Sequence, residues 1–288
     1  MQISAVQTDV TIADSAANLE TLRKHMAVES AAGSQLIVFP ECFVSGYCFQ
    51  SLEEAIPHAQ PVDGAFTQSV IQLCREFDCS VVFGMLELVG NDVFNTAVLV
   101  GAQGVAGSYR KVHLPWLGVD RFTTPGDRPF EVVEMDGLRI GMLICYDAGF
   151  PEAPRSLALD GADLIVLPTN WPPGAEQLAE YAINTRAMEN SVYFVAANRV
   201  GQERGFEFIG FSRICDPAGR TLAVADHQNE CVLRASVDPA QARKKRFTRV
   251  PKEHMIDRMA DRRPEMYSRL CEPHELPRPG RDDDKKHC

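Results

Sequence analysis

Three residues in this chain carry side chains suited to chemistry on a polarised carbon. Each stands at or just past the end of an apolar run. Glu41 follows Leu36-Ile37-Val38-Phe39-Pro40, Lys111 ends the run up from Val105, and Cys145 ends the run Leu138 to Ile144. A buried glutamate can accept a proton, an ammonium can hold a developing oxyanion, and a thiol can attack a carbonyl or nitrile carbon. Each also has a plainer account. A free cysteine is often a small core side chain, and a Glu or Lys at a strand end is ordinarily solvated. A carboxylate directly after a buried strand is nevertheless costly without partners or a role, and a dry setting would raise its pKa. A helix N-terminus just after Cys145 would lower the thiol pKa. Strand alternation puts Arg110 and Lys111 on opposite faces, so that one turns inward while the other stays wet. His113 offers a Cys–His pairing instead, although a structural His that orients neighbouring loops is the commoner outcome.

The elements that must position these residues follow from periodicity. Ile3 to Gln7 alternates weakly, as a strand does, and residues 15–32 carry Leu19, Leu22 and Met26 at helical spacing behind an Asp14 or Ser15 cap. Gln35 to Phe39 fits a buried strand, 65–77 a second helix, and Ser80 to Leu86 another strand. Val93–Val100 and Val105–Lys111 flank Gly101-Ala102-Gln103-Gly104, and Phe130–Glu134 and Leu138–Cys145 flank Asp136-Gly137; both are hairpin signals. Helices are expected at 152–159 and 175–190, and strands at 164–167, 192–197 and 231–237, with a hairpin around Asp216-Pro217-Ala218-Gly219. This mixture argues for mixed sheets covered by helices. No linker interrupts residues 1–280, so a single domain is expected. Residues from about 240 to 280 are expected to form a C-terminal arm that packs on a neighbouring subunit, and Arg281 to Cys288 are expected to be a charged, disordered tail.

Composition narrows the partners. The chain has 288 residues, with 29 Lys and Arg against 39 Asp and Glu and a formal net charge of −10. That speaks against nucleic acid and anionic membrane surfaces, and the basic run Arg243-Lys244-Lys245-Arg246 is better read as a solvated segment or subunit contact. No signal peptide or transmembrane run is visible, so a cytoplasmic location is expected. The nine cysteines include no Cys-x-x-Cys pair, so free thiols are expected, mostly buried, with Cys288 exposed.

Taken together, Phe39-Pro40-Glu41, Tyr109-Arg110-Lys111-Val112-His113-Leu114 and Leu143-Ile144-Cys145-Tyr146-Asp147 resemble the three catalytic signatures of the nitrilase superfamily of carbon–nitrogen hydrolases. Thr124-Pro125-Gly126-Asp127, Phe150-Pro151-Glu152, and Arg186-Ala187-Met188-Glu189-Asn190 followed by Ala197-Asn198-Arg199-Val200-Gly201 extend the likeness over nearly the whole chain. The resemblance implies a four-layer α-β-β-α sandwich with two mixed sheets, and a homodimer or higher even oligomer. It implies Glu41 as general base, Lys111 and the Tyr146 backbone N–H as oxyanion donors, and Cys145 as nucleophile, with no metal or organic cofactor. It makes Glu189 and Asn190 structural and sets the Asn170-Trp171 loop against the substrate, with Tyr47 a further candidate contact. One position departs from the pattern. Many members carry a second Glu that positions the Lys, and here Asp120 is the only acid between Trp116 and Thr124.

Cys145-Tyr146-Asp147 is more similar to the amidase branch than to the Cys-Trp-Glu of true nitrilases. A small primary amide is therefore the expected substrate, cleaved to ammonia and a carboxylic acid. The alternative is an N-carbamoyl amide hydrolase releasing carbon dioxide and ammonia, with Arg155, Arg199 and Arg204 as candidate clamps for a substrate carboxylate. Nitrile hydrolysis, acyl transfer and a non-catalytic scaffold rank behind these.

Overall fold

The computed structural model describes residues 1–282. Sixteen strands appear in chain order among them: β1 Gln2–Gln7, β2 Leu36–Val38, β3 Ser80–Val89, β4 Asp92–Gly101, β5 Gly104–Arg110, β6 Val132–Met135, β7 Leu138–Met142, β8 Leu164–Pro168, β9 Tyr193–Ala197, β10 Gln202–Glu203, β11 Phe206–Glu207, β12 Arg213–Cys215, β13 Thr221–Val224, β14 Cys231–Ser236, β15 Arg246–Val250 and β16 His254–Asp257. Twelve of them build two six-stranded sheets, ordered β14-β1-β2-β3-β4-β5 and β13-β12-β9-β8-β7-β6. Each sheet is mixed. Reading the first from β14 and the second from β6, the pairings run antiparallel, parallel, parallel, antiparallel, antiparallel in both.

The inner faces are apolar and meet in one core. Ile3, Ala5, Val38, Val82, Ala97 and Leu99 of the first sheet pack with Leu138, Ile140, Val166 and Val195 of the second. Helices α1 (Ser15–Ala31) and α3 (Ala65–Phe77) cover the outer face of the first sheet, bringing Leu22, Met26 and Val70 onto Ile37, Val81 and Phe83. Between them lies the short α2 (Leu52–Ala55). Helices α4 (Glu152–Leu159) and α5 (Ile183–Asn190) bring Leu157, Ile183 and Ala187 onto the second sheet. The result is the four-layer α-β-β-α sandwich. Among the described residues, no helix is long and apolar enough to cross a membrane.

Several local expectations are corrected. The strand leading to Cys145 stops at Met142, because Leu143 and Ile144 lead into a tight 3-10 turn over Cys145–Gly149. The helix expected over 175–190 is present and runs unbroken from 176 to 190, with one wider π-turn at Leu178–Ala182 that leads into α5. Past β14 the chain forms α6 (Pro239–Arg243) and the β15–β16 hairpin, which exposes Phe247, Val250, Met255 and Ile256. Of the tail, Arg281 is not loose. Its guanidinium sits 5.6 Å from the Trp116 ring and donates to the Asp120 carbonyl. Residues 283–288, and with them the expected exposure of Cys288, lie outside the described residues.

Candidate active site

Glu41 sits in the turn that follows β2, and this turn packs against β3. The Phe39 N–H donates to the Val82 carbonyl, the Gly84 N–H to the Pro40 carbonyl, and the Val44 N–H to the Gly84 carbonyl. Approach is so close that a Cβ on Gly84 would lie 2.3 Å from the Cys42 nitrogen and 2.7 Å from the Glu41 Cα. Only glycine fits there.

Lys111 is the first residue after β5. Its N–H donates to the Asn95 carbonyl, and its own carbonyl accepts from Gly126, so the Thr124–Asp127 loop pins it from behind. Both Arg110 and Lys111 are buried, against the expectation that one stays wet. Arg110 is satisfied by Glu87 at 2.6 Å and Asp127 at 2.8 Å. Two carboxylates thus replace the water that a guanidinium otherwise requires.

Cys145 opens the 3-10 turn with φ of 45°, a conformation rare for a side chain with a Cβ. What holds it there is Asp147. That buried carboxylate accepts from the Ile144 N–H at 2.9 Å, the Tyr109 hydroxyl at 2.8 Å and the His113 N–H at 3.2 Å, and it lies 2.7 Å from His113 Nδ1. His113 is stacked on Phe150 with centroids 3.7 Å apart, so it braces this turn. From α5, Arg186 donates to the carbonyls of Ala148 and Gly149, which close the turn. Tyr146 is the second residue of that turn, where the backbone N–H has no carbonyl within the turn to bond.

The three segments converge around Lys111. Its ammonium donates to Glu41 Oε1 at 2.7 Å and to Asp120 Oδ2 at 2.5 Å, with all three side chains fully buried. Asn95, from the middle of β4, donates to Glu41 Oε1 at 2.7 Å and Asp120 Oδ1 at 2.9 Å. The Tyr47 hydroxyl donates to Asp120 Oδ2 at 2.8 Å. Asp120 therefore occupies the position in which the longer acid was expected. Glu41 Oε2 is buried and has no hydrogen-bond partner among the described residues.

Electrostatics follow from this burial. Desolvation raises the Glu41 pKa; the Lys111 ammonium opposes the shift and the Asp120 charge adds to it. For Lys111, burial works against the charge, but Asp120 and Glu41 outweigh it and hold the ammonium protonated. The Cys145 thiol is pushed up to about 12, first by burial and then by the Glu41 charge. Lys111, the Thr169 hydroxyl and the Asn170 backbone N–H pull it the other way. A thiol lowered by a helix N-terminus is thus not what the site contains, since α4 begins only at Glu152.

The remaining candidates divide. Asn170 stands beside the trio, and its Nδ2 donates to the Glu41 carbonyl at 2.9 Å. Trp171 follows it and is buried. Tyr47 is also buried, with its hydroxyl on Asp120, and so braces the site from behind. The arginines are committed elsewhere. Arg199 pairs with Glu203 at 2.6 Å and Asp9 at 2.8 Å, and Glu203 in turn accepts from the Tyr47 N–H. Arg155 donates to the Glu189 carbonyl and to the Met259 sulfur, and lines a separate surface cavity with Leu159 and Tyr267. Arg204 pairs with Glu54. Asn95 and Asp147 were not anticipated as site residues; the one available signal for Asn95 was an amide inside the apolar run Val93–Val100.

A family model described as carbon-nitrogen hydrolase matches residues 2–247. The chain belongs to the carbon–nitrogen hydrolase family. This hydrolase is 37% identical over 270 residues to a protein called nitrilase from Pyrococcus abyssi, covering 93% of this chain and all of that one. It is 38% identical over 224 residues to an (R)-stereoselective amidase of a Pseudomonas species, covering 77% and 80%. An N-carbamoylputrescine amidase of Solanum lycopersicum is 30% identical over 278 residues, covering 89% and 90%. Among solved structures, the amidase from a Nesterenkonia species superposes with a TM-score of 0.78 at 26% identity, over 94% of this hydrolase and 96% of that chain. The Nesterenkonia amidase has been solved with acrylamide bound, and with the acetamide moiety of fluoroacetamide added at its active-site cysteine.

Proposed function

We propose that this carbon–nitrogen hydrolase is an amidase that converts a small primary amide to a carboxylic acid and ammonia through a thioester on Cys145. The observation that carries the reading is the division of labour at Glu41. One carboxylate oxygen is taken by Lys111 and Asn95, and the other, Oε2, is buried with no partner among the described residues.

A thiol held near 12 carries its proton in the resting site, so attack requires a base. Cys145 Sγ bonds to the amide carbon while its proton passes to Glu41 Oε2. The carbonyl π pair moves to oxygen. Lys111 has three N–H donors and two are taken by Glu41 and Asp120, which leaves the third for this oxyanion beside the Tyr146 N–H. Glu41 then returns the proton to nitrogen, the C–N bond breaks and ammonia leaves. Water attacks the thioester as Glu41 accepts its proton. The C–S bond breaks, and Cys145 recovers its proton as the acid departs. The raised Glu41 pKa brings the base closer to the groups with which it exchanges protons.

Two buried acceptors support an amide over a nitrile. The NH2 group of an amide has two N–H donors, and Glu41 Oε2 and Asn170 Oδ1 are both without partners among the described residues. The Nδ2 bond to the Glu41 carbonyl fixes which end of the Asn170 amide is oxygen. A nitrile would leave both acceptors unpaired. The carbamoyl alternative keeps the support of the Solanum relative, but its carboxylate-bearing substrates lose their expected clamps, because Arg155, Arg199 and Arg204 are all held by protein partners. We also read the exposed apolar residues of the β15–β16 hairpin as a subunit contact, which sedimentation of the purified chain tests.

The deciding experiment is ammonia release from primary amides, N-carbamoyl compounds and nitriles, with Cys145→Ala as the blank. Release from amides, with an acyl mass trapped on Cys145, is the expected result. Release from nitriles or carbamoyl compounds alone would overturn it.

A further inference from the structure

Eight buried side-chain atoms able to hydrogen-bond lack a nitrogen or oxygen partner among the described residues. Three of them belong to Glu41 and to the segment that follows Thr169, whose hydroxyl acts on the Cys145 sulfur: Glu41 Oε2, Asn170 Oδ1 and Trp171 Nε1. The last is the least expected, since a buried indole N–H ordinarily finds an acceptor. Trp171 is 1% exposed. Its backbone is fixed on both sides, with its N–H donating to Asn198 Oδ1 at 2.9 Å and its carbonyl accepting from the Ile209 N–H at 3.0 Å. Asn198 is itself held by the Ser212 hydroxyl and the Gly210 carbonyl. The two residues before Trp171 are those whose hydroxyl and N–H act on the Cys145 sulfur. The segment 169–171 therefore runs along the reacting atom on a rigid frame.

In the amidase reading, on which this inference rests, the amide carbonyl oxygen already has Lys111 and the Tyr146 N–H. The amide nitrogen needs acceptors. A donor on Trp171 is left for the acyl part of the substrate. The charge there is constrained too, since the two carboxylates of Glu41 and Asp120 share a single ammonium and a third anion would be desolvated without a counter-charge. We propose that the Trp171 indole N–H receives a neutral hydrogen-bond acceptor on the acyl chain, so that the preferred substrates are amides carrying a hydroxyl, ether or keto oxygen close to the scissile carbonyl.

The test uses isosteric pairs, 2-hydroxypropanamide against 2-methylpropanamide and 3-hydroxypropanamide against butanamide, with wild type and Trp171→Phe. Phenylalanine keeps the aromatic bulk and removes the donor. Wild type should favour the hydroxylated member of at least one pair by about tenfold in kcat/KM, and Trp171→Phe should level that ratio, read within each pair on the same preparation whatever the variant's overall rate. Equal kcat/KM within both pairs for wild type overturns the inference and leaves the amidase reading standing. The same preference in wild type and Trp171→Phe also overturns it. Should the variant fail to fold, the wild-type ratios decide. No ammonia from any of the four amides, with nitriles or carbamoyl compounds turned over, removes the amidase reading and this inference together.

Discussion

Asp120 Oδ2 lies 2.5 Å from Lys111 Nζ, and the carboxylate is braced on its other side by Tyr47 and Asn95. A side chain one methylene shorter than glutamate reaches the ammonium because Gly118–Arg121 forms a 3-10 turn that brings Asp120 inward. The Lys111 ammonium is thereby held between two carboxylates, and neither its charge nor its position is free to vary. Asp120→Asn keeps the shape and removes one of the two charges. We expect kcat to fall by roughly 10- to 100-fold as the ammonium shifts from its place, with a smaller change in KM. Steady-state kinetics with an accepted amide measures both.

Glu41→Gln should separate turnover from thiol reactivity. The Glu41 charge is one of the causes that hold the Cys145 thiol up near 12. Removing it lowers the thiol pKa and raises the thiolate fraction at any given pH. Iodoacetamide labelling at Cys145, followed on the peptide by mass spectrometry, should therefore speed up in the variant. Turnover should drop by about 10²- to 10⁴-fold with the loss of the proposed base. In wild type, Glu41 must be ionised to accept a proton. Because its pKa is raised, the rate should fall with decreasing pH above the range of an ordinary glutamate. An acid limb at the usual carboxylate pKa would contradict this.

Gly84→Ala tests the seating of Glu41. The added Cβ would meet the backbone of Glu41 and Cys42, which cannot rotate away. We expect a loss of about 1–3 kcal/mol in stability and a larger proportional loss of kcat, because the displaced segment carries the proposed base. Chemical denaturation and kinetics on one sample give both quantities.

Arg199→Ala distinguishes a structural cation from a substrate clamp. Arg199 and Glu203 are both buried, and the substitution strands the Glu203 carboxylate that holds the Tyr47 N–H. Removing one partner of such a pair costs about 3–5 kcal/mol. The thermal midpoint should fall well below wild type, while the ranking of amide substrates at low temperature stays the same. A changed ranking with an unchanged midpoint would restore the clamp.

How much of this was legible in the sequence depended on the range of the interaction. Strands β1 to β4, the hairpin turns and helices α1, α3 and α4 follow from local apolar periodicity, and their observed bounds lie close to those expected. Glu41, Lys111 and Cys145 stood out because each ends such a run. Asn95 and Asp147 did not, because their function depends on contacts across 54 and 38 residues that no local pattern encodes. Arg110 misled for a related reason. Alternation predicts which way a side chain points, but not that Glu87 and Asp127 will be waiting to neutralise it. The thiol pKa was misjudged because the sequence showed the following helix but not the depth of burial.

Glu41, Asn95 and Lys111 come from loops and strands of one sheet, and Cys145 comes from the other. The distance from Cys145 to the Glu41–Lys111 pair is therefore set by how the two slabs seat on each other, through buried side chains such as Leu99 and Ile140. Such a molecule should lose activity under hydrostatic pressure, or after a methyl-sized deletion in that middle layer, before it loses its fold. Its interior packing acts as the ruler of its chemistry.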